Sequence, residues 1–98
     1  MSVGAHGVIS VASNVIPKEV SQMVAAFAKG KPDAALKIHS KFYPLFKDLF
    51  IETNPVPVKA TLAMLGVCEE QYRLPLVPMT ARNRDVLRAT LKACGIIK

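Results

Sequence analysis

One short stretch limits what this chain can build. Gly7-Val8-Ile9-Ser10-Val11 carries three β-branched residues directly after the breakers Gly4 and Gly7, and it reads as the single β-strand of the sequence. After Asn14 the pattern is helix and loop throughout. A strand has to satisfy its backbone N–H and C=O groups on a neighbour, and this sequence offers no second strand. The expectation is that two copies pair through this segment, or that its sheet lies outside these residues.

The rest of the composition points the same way. At 98 residues there is room for one modest core. The chain is 51% hydrophobic and only 20% charged, with a mean hydropathy of +0.29. Such apolar content in a small domain predicts faces built to meet another chain or another part of a longer one. The net charge of +6 would favour anionic partners if it were clustered, but the lysines are scattered from Lys18 to Lys98. Cys68 and Cys94 form no C-x-x-C pair, and Met1 to Pro17 lacks the basic start and apolar core of a secretion signal. That stretch is also too short to span a membrane. These features predict reduced thiols and a cytoplasmic setting with no membrane partner.

Four helices follow from periodicity and punctuation. The first, Pro17 to Lys29, places Val20, Met23, Val24 and Phe27 on one face and stops at Gly30, with Ser13 or Asn14 expected as its cap. The second, Asp33 to Phe50, carries a seam of Ala35, Ile38, Phe42, Leu45 and Leu49. A second stripe of His39, Tyr43, Phe46 and Phe50 predicts cover on two sides, and Pro44 predicts a kink. Asn54-Pro55-Val56-Pro57 is a stiff connector in which Asn54 and Val56 should be extended. The third helix, Pro57 to Leu65, would bury Val58, Leu62 and Leu65 before Gly66. Tyr72 to Pro78 reads as an apolar strap over the helices. Thr80 caps the fourth helix, Ala81 to Cys94, whose inner stripe is Leu87, Leu91 and Cys94.

Little in the sequence carries chemistry by itself. His6 and His39 have no partner at metal-ligand spacing, so His39 is read as a packing residue. Cys94 stands at a helix C-terminus and Cys68 beside Glu69 and Glu70, both poor places for a thiolate. Arg84, Arg88 and Lys92 form a basic stripe, but no aromatic residues accompany it and Asp85 can pair with Arg88. A solvated helix face is the better reading than nucleic-acid binding.

The order of motifs has a further meaning. Gly4-Ala5-His6-Gly7-Val8-Ile9-Ser10-Val11, then Asn54-Pro55-Val56-Pro57-Val58-Lys59, then Arg73-Leu74-Pro75-Leu76-Val77-Pro78 resembles the C-terminal third of the bacterial 4-hydroxy-tetrahydrodipicolinate (dihydrodipicolinate) synthases, over Gly4 to Ile97. The resemblance implies a mainly α chain that holds the last β/α unit and the helical C-terminal domain of a (β/α)8 TIM barrel. Residues 1–30 would be the last barrel strand and helix, and residues 31–98 the helical domain.

The resemblance also implies a function. This lyase family condenses pyruvate with aspartate semialdehyde in lysine biosynthesis through a Schiff base on a barrel lysine, without a cofactor or metal, and usually as a homo-oligomer. Ile9 matches the isoleucine that contributes to the pyruvate site. The Schiff-base lysine, the proton-relay threonine and tyrosines and the carboxylate-binding arginine of the family lie upstream of the matched region. Lys18 and Lys59 match none of them. The chain is therefore expected to be structural and inactive as a lyase by itself, with no catalytic residue of its own. Alternatives are a self-associating helical interaction module and a piece of a sibling pyruvate aldolase such as N-acetylneuraminate lyase.

Overall fold

A computed structural model describes residues 1–98. A 3-10 turn at Ala12–Asn14 is followed by four α-helices: α1 Pro17–Ala28, α2 Pro32–Asp48, α3 Val56–Met64 and α4 Ala81–Ala93. All four match the expected positions to within two residues. The punctuation worked as chemistry. After α4, Gly95 adopts φ +73°, its N–H reaches Lys92 O and that of Ile96 reaches Leu91 O. That is the Schellman closure, which needs a left-handed residue that glycine supplies without a Cβ penalty. The same pair of bonds closes α1 and α3.

α3 is the central helix. Val56, Pro57, Val58, Ala60 and Thr61 are all buried, so it is covered all round rather than along one edge. Leu62 and Leu65, expected as part of its buried edge, are only half-buried. Thr61 disposes of its hydroxyl internally by donating to Pro57 O at 2.9 Å. Around α3 pack the 3-10 turn and α4, and α2 lies against both α1 and α4. The core joins Ile16 and Val20 to Phe42, Leu45, Leu49, Leu87 and Leu91.

Several expectations are corrected. The strand does not form: residues 5–10 are neither helix nor strand, because a ladder needs a second strand and the chain contains none. Ser13 and Asn14 do not cap α1. They turn back within the 3-10 segment, Ser13 Oγ donating to Ser10 O and Asn14 Nδ2 to Val11 O, and Ile16 takes the cap position. Val56 is helical rather than extended: it opens α3 with Pro57, and the burial of both residues outweighs the local preference of a residue before proline. The strap is only partly apolar cover: Tyr72 and Leu76 pack on the core, while Leu74 and Val77 face solvent.

The second stripe of α2 is the most consequential difference. The Phe42, Leu45 and Leu49 seam is buried, but Tyr43 and Phe50 are more than half exposed. Periodicity identified an apolar stripe correctly. It could not tell whether the surface that covers the stripe belongs to this chain.

Candidate functional site

The uncovered stripe and the unpaired segment face one another. Val8 and Ile9, with Val20 and Met23 of α1 and Phe46 and Phe50 of α2, line an open groove of about 320 Å³. No lysine, arginine, aspartate or glutamate lines it. Its chemistry is that of an apolar acceptor surface, with Ser10 and His39 as its polar members. Ile9, the one expected site residue, sits at the rim with its side chain fully in solvent, 106% of the reference exposure. His39 is exposed, not buried, and packs its ring on Tyr43 and Phe46 at centroid distances of 5.7 and 5.6 Å.

The other candidates are scattered. Cys68 is exposed and Cys94 buried, and both thiols are free. Burial pushes the Cys94 thiol up, as suits a small core residue. The basic stripe on α4 is broken at its first member. Arg84 does not join Arg88 and Lys92 as a free cation, because its Nη1 meets Glu70 Oε1 at 2.6 Å. Asp85 makes no ion pair with Arg88.

The sequence reading missed three carboxylates whose polar contacts fix this architecture: Glu52, Glu70 and Asp48. Glu52 Oε1 accepts from Thr80 N at 3.0 Å, Thr80 Oγ1 at 3.1 Å and Asn83 Nδ2 at 2.9 Å. It thereby sits on the N-terminus of α4, where Thr80 also accepts from Asn83 N. The Asn83 hydrogen bond foremost, with those of Thr80, holds the Glu52 carboxyl below its ordinary value. Glu70 accepts from both Arg84 and Tyr72, and the Arg84 bond is the main reason its carboxyl is also lowered. Asp48, buried in α2, accepts from Thr90 of α4. Every one of the carboxylate contacts except Tyr72 to Glu70 joins residues 14 to 42 positions apart, so no local motif announces them.

These groups make the stability pH-dependent at both ends. Glu52 and Glu70 have lowered folded values, so their contribution is present above the unfolded carboxyl value of about 4.3 and is lost as pH falls below it. Tyr72 runs the other way. Burial, and then its bond to Glu70, push its hydroxyl up to about 12, so its contribution is present below the unfolded value of about 10 and is lost as pH rises through 12. Thermal melts across pH should show both arms. Glu52→Gln should reduce the acid arm, leaving Glu70's share of it and the whole alkaline arm, whereas Tyr72→Phe should remove the alkaline arm and, by taking a donor from Glu70, also trim the acid arm.

With the geometry set out, comparison with known proteins places the chain. The sequence model of the dihydrodipicolinate synthetase family matches residues 1–94. The chain belongs to this family. Among curated relatives, the 4-hydroxy-tetrahydrodipicolinate synthase of Thermosipho africanus is 49% identical over 94 residues, covering 96% of this chain and 32% of the relative. That of Aquifex aeolicus is 51% identical over 92 residues, covering 94% of this chain and 31% of the relative. The solved synthase of Methylacidiphilum fumariolicum SolV superposes with a TM-score of 0.94 at 51% identity, covering 96% of this chain and 31% of that one. The Thermotoga maritima dihydrodipicolinate synthase gives 0.94 at 44% identity, over 98% of this chain and 32% of that one.

This dihydrodipicolinate synthetase family chain thus spans about a third of the length of the relatives it matches. It corresponds to the C-terminal helical part of their TIM-barrel structures.

Proposed function

We propose that this chain serves as the C-terminal part of a pyruvate-dependent Schiff-base synthase that condenses pyruvate with aspartate semialdehyde. In this reading residues 1–30 supply the last barrel strand and helix, and residues 31–98 the helical domain that supports subunit packing in a homo-oligomer. Ile9 forms part of the pyruvate site, at the C-terminal end of the last strand where barrel enzymes gather their catalytic groups. The match along the chain to synthases, at a TM-score of 0.94, carries the proposal.

The role is positional rather than catalytic. A Schiff-base lysine has to be desolvated and oriented. Of the nine lysines here, all are solvent-exposed except Lys59. Lys59 is half-buried, and its ammonium is already engaged, donating to Gln71 O and lying 5.3 Å from the Tyr72 ring centre. None is set up as a nucleophile. The direct test is borohydride trapping with pyruvate, read by mass. The purified chain should show no pyruvyl adduct and no condensation activity, whereas mixing it with the separately expressed upstream portion of a relative should restore the adduct on that portion. A borohydride-fixed adduct on this chain alone would refute the assignment.

A further inference from the structure

We infer that Ser13 is a positioning residue for the pyruvate site: with Ser10 it forms a bracket that ends the last barrel strand at Ile9 and fixes the face on which Ile9 stands. The inference rests on the proposed function, in which Ile9 borders that site. Its ground is a set of short-range bonds directly after Ile9. Ser13 N donates to Ser10 Oγ at 3.1 Å, and Ser13 Oγ donates back to Ser10 O at 2.6 Å. Asn14 commits the next carbonyl, its N–H and its Nδ2 donating to Val11 O at 3.1 and 3.0 Å. Val15 N and Ile16 N both donate to Ala12 O at 2.9 Å.

These bonds decide where a strand can stop. A ladder needs extended backbone whose C=O groups are free for the neighbouring strand. Val11 has left the extended region, at φ −66° and ψ −42°, and the carbonyls of Ser10, Val11 and Ala12 are all engaged. Ile9 is then the last residue before the turn with both backbone groups uncommitted. The turn itself is anchored, because Ala12 and Ile16 are buried in the core and Val11 and Val15 pack against it. Strand side chains alternate between faces, so holding Ser10 against the turn puts Ile9 on the opposite face. Ser10 is half-buried and Ile9 fully exposed, in line with that alternation. A slip of one residue would place the Ser10 hydroxyl where the Ile9 side chain belongs. The core contacts hold the turn, and the Ser10–Ser13 bracket sets its register on the strand.

The test uses this chain assembled with the upstream portion of a relative, as for borohydride trapping. Ser13→Ala removes one limb of the bracket and Ser10→Ala the other, and neither serine belongs to the apolar core. Each should raise KM for pyruvate about tenfold, the effect of one hydrogen bond, and leave kcat and KM for the aldehyde within about twofold. Ser13→Thr keeps the hydroxyl and should restore the wild-type KM. The fraction of assembly trapped at saturating pyruvate should not change, whereas a merely structural role would lower that fraction and leave KM alone. An unchanged KM in both alanine variants overturns the inference and leaves the proposed function standing. So does a fall in trapped fraction without a change in KM, or a threonine variant that stays at the alanine KM. A wild-type assembly that forms no pyruvyl adduct overturns the proposed function, and this inference with it. One further measurement needs no assembly. In the 98-residue chain alone, Ser10→Ala should speed amide exchange at Ser13 about tenfold, and an unchanged rate shows that the bracket does not hold the turn.

Discussion

Replacing Leu91 by alanine should cost about 3 to 5 kcal/mol and bring the chain most of the way to its unfolding midpoint at room temperature. Leu91 is fully buried, as are Leu45, Leu49 and Leu87 around it, so the loss combines transfer of the side chain with a cavity that the surrounding helices cannot close. A domain of this size has about 5 to 15 kcal/mol of stability in all. This chain belongs at the low end, since only 18 of its 98 residues are buried. Urea unfolding followed by circular dichroism gives the measurement, with Val77→Ala as the control. Val77 is 58% exposed, and its truncation should shift stability by no more than about 0.5 kcal/mol. A Leu91→Ala loss under about 1 kcal/mol would mean that α2, α3 and α4 do not share one packed centre.

Leu91 is also where sequence reading was at its best. Leu87, Leu91 and Cys94 follow the helical repeat, and all three are buried. Helix stops and the Thr80 cap were legible for a related reason: each depends on residues within one turn, so the sequence window contains the whole interaction. The strand marks the limit of that logic. Val8, Ile9 and Val11 have strand propensity, but a ladder is a property of two segments and the chain holds one. The aromatic stripe of α2 failed similarly, because apolar character does not say which molecule does the covering. Both failures fall on the same surface. Their coincidence is what a chain folded around a missing neighbour would show, and it is why the site is legible only as a site awaiting a partner.

The division of labour follows from this. The groove that Ile9 borders is apolar and open on one side, so by itself it can orient nothing. What the chain contributes is stiffness behind that surface. α1 packs on α2, α2 on α4 and α4 on α3, and Ile16 and Val20 tie the base of the unpaired segment into the same core. Under the proposed function, Ile9 supported in this way holds its place when the facing strands are present. On that proposal, the polar contact between α2 and α4 matters more to function than its distance from Ile9 suggests.

That contact yields the second large effect. Asp48 is 6% exposed, and its Oδ2 accepts from Thr90 Oγ1 at 2.5 Å. Its other oxygen has Lys47 Nζ at 3.5 Å, but the Lys47 side chain is 68% exposed, so that pair is screened by water. Thr90→Val keeps the shape of the side chain and removes the hydroxyl, leaving a buried carboxylate oxygen without its donor. The expected loss is about 2 to 3 kcal/mol in urea unfolding, near the upper range for a hydrogen bond to a charged group. Two further variants separate the contact from mere packing. Asp48→Asn keeps an acceptor for Thr90 and removes the charge, so it should cost less than Thr90→Val. The double change Thr90→Val with Asp48→Leu removes both partners together and should recover much of the single-mutant loss, because no polar group is then left stranded. With the Asp48→Leu single variant as the fourth corner, the cycle should give a coupling of about 1 to 3 kcal/mol. Strict additivity of the two changes would show instead that the hydroxyl and the carboxylate do not act as a pair, and that α2 and α4 are held by their leucines alone.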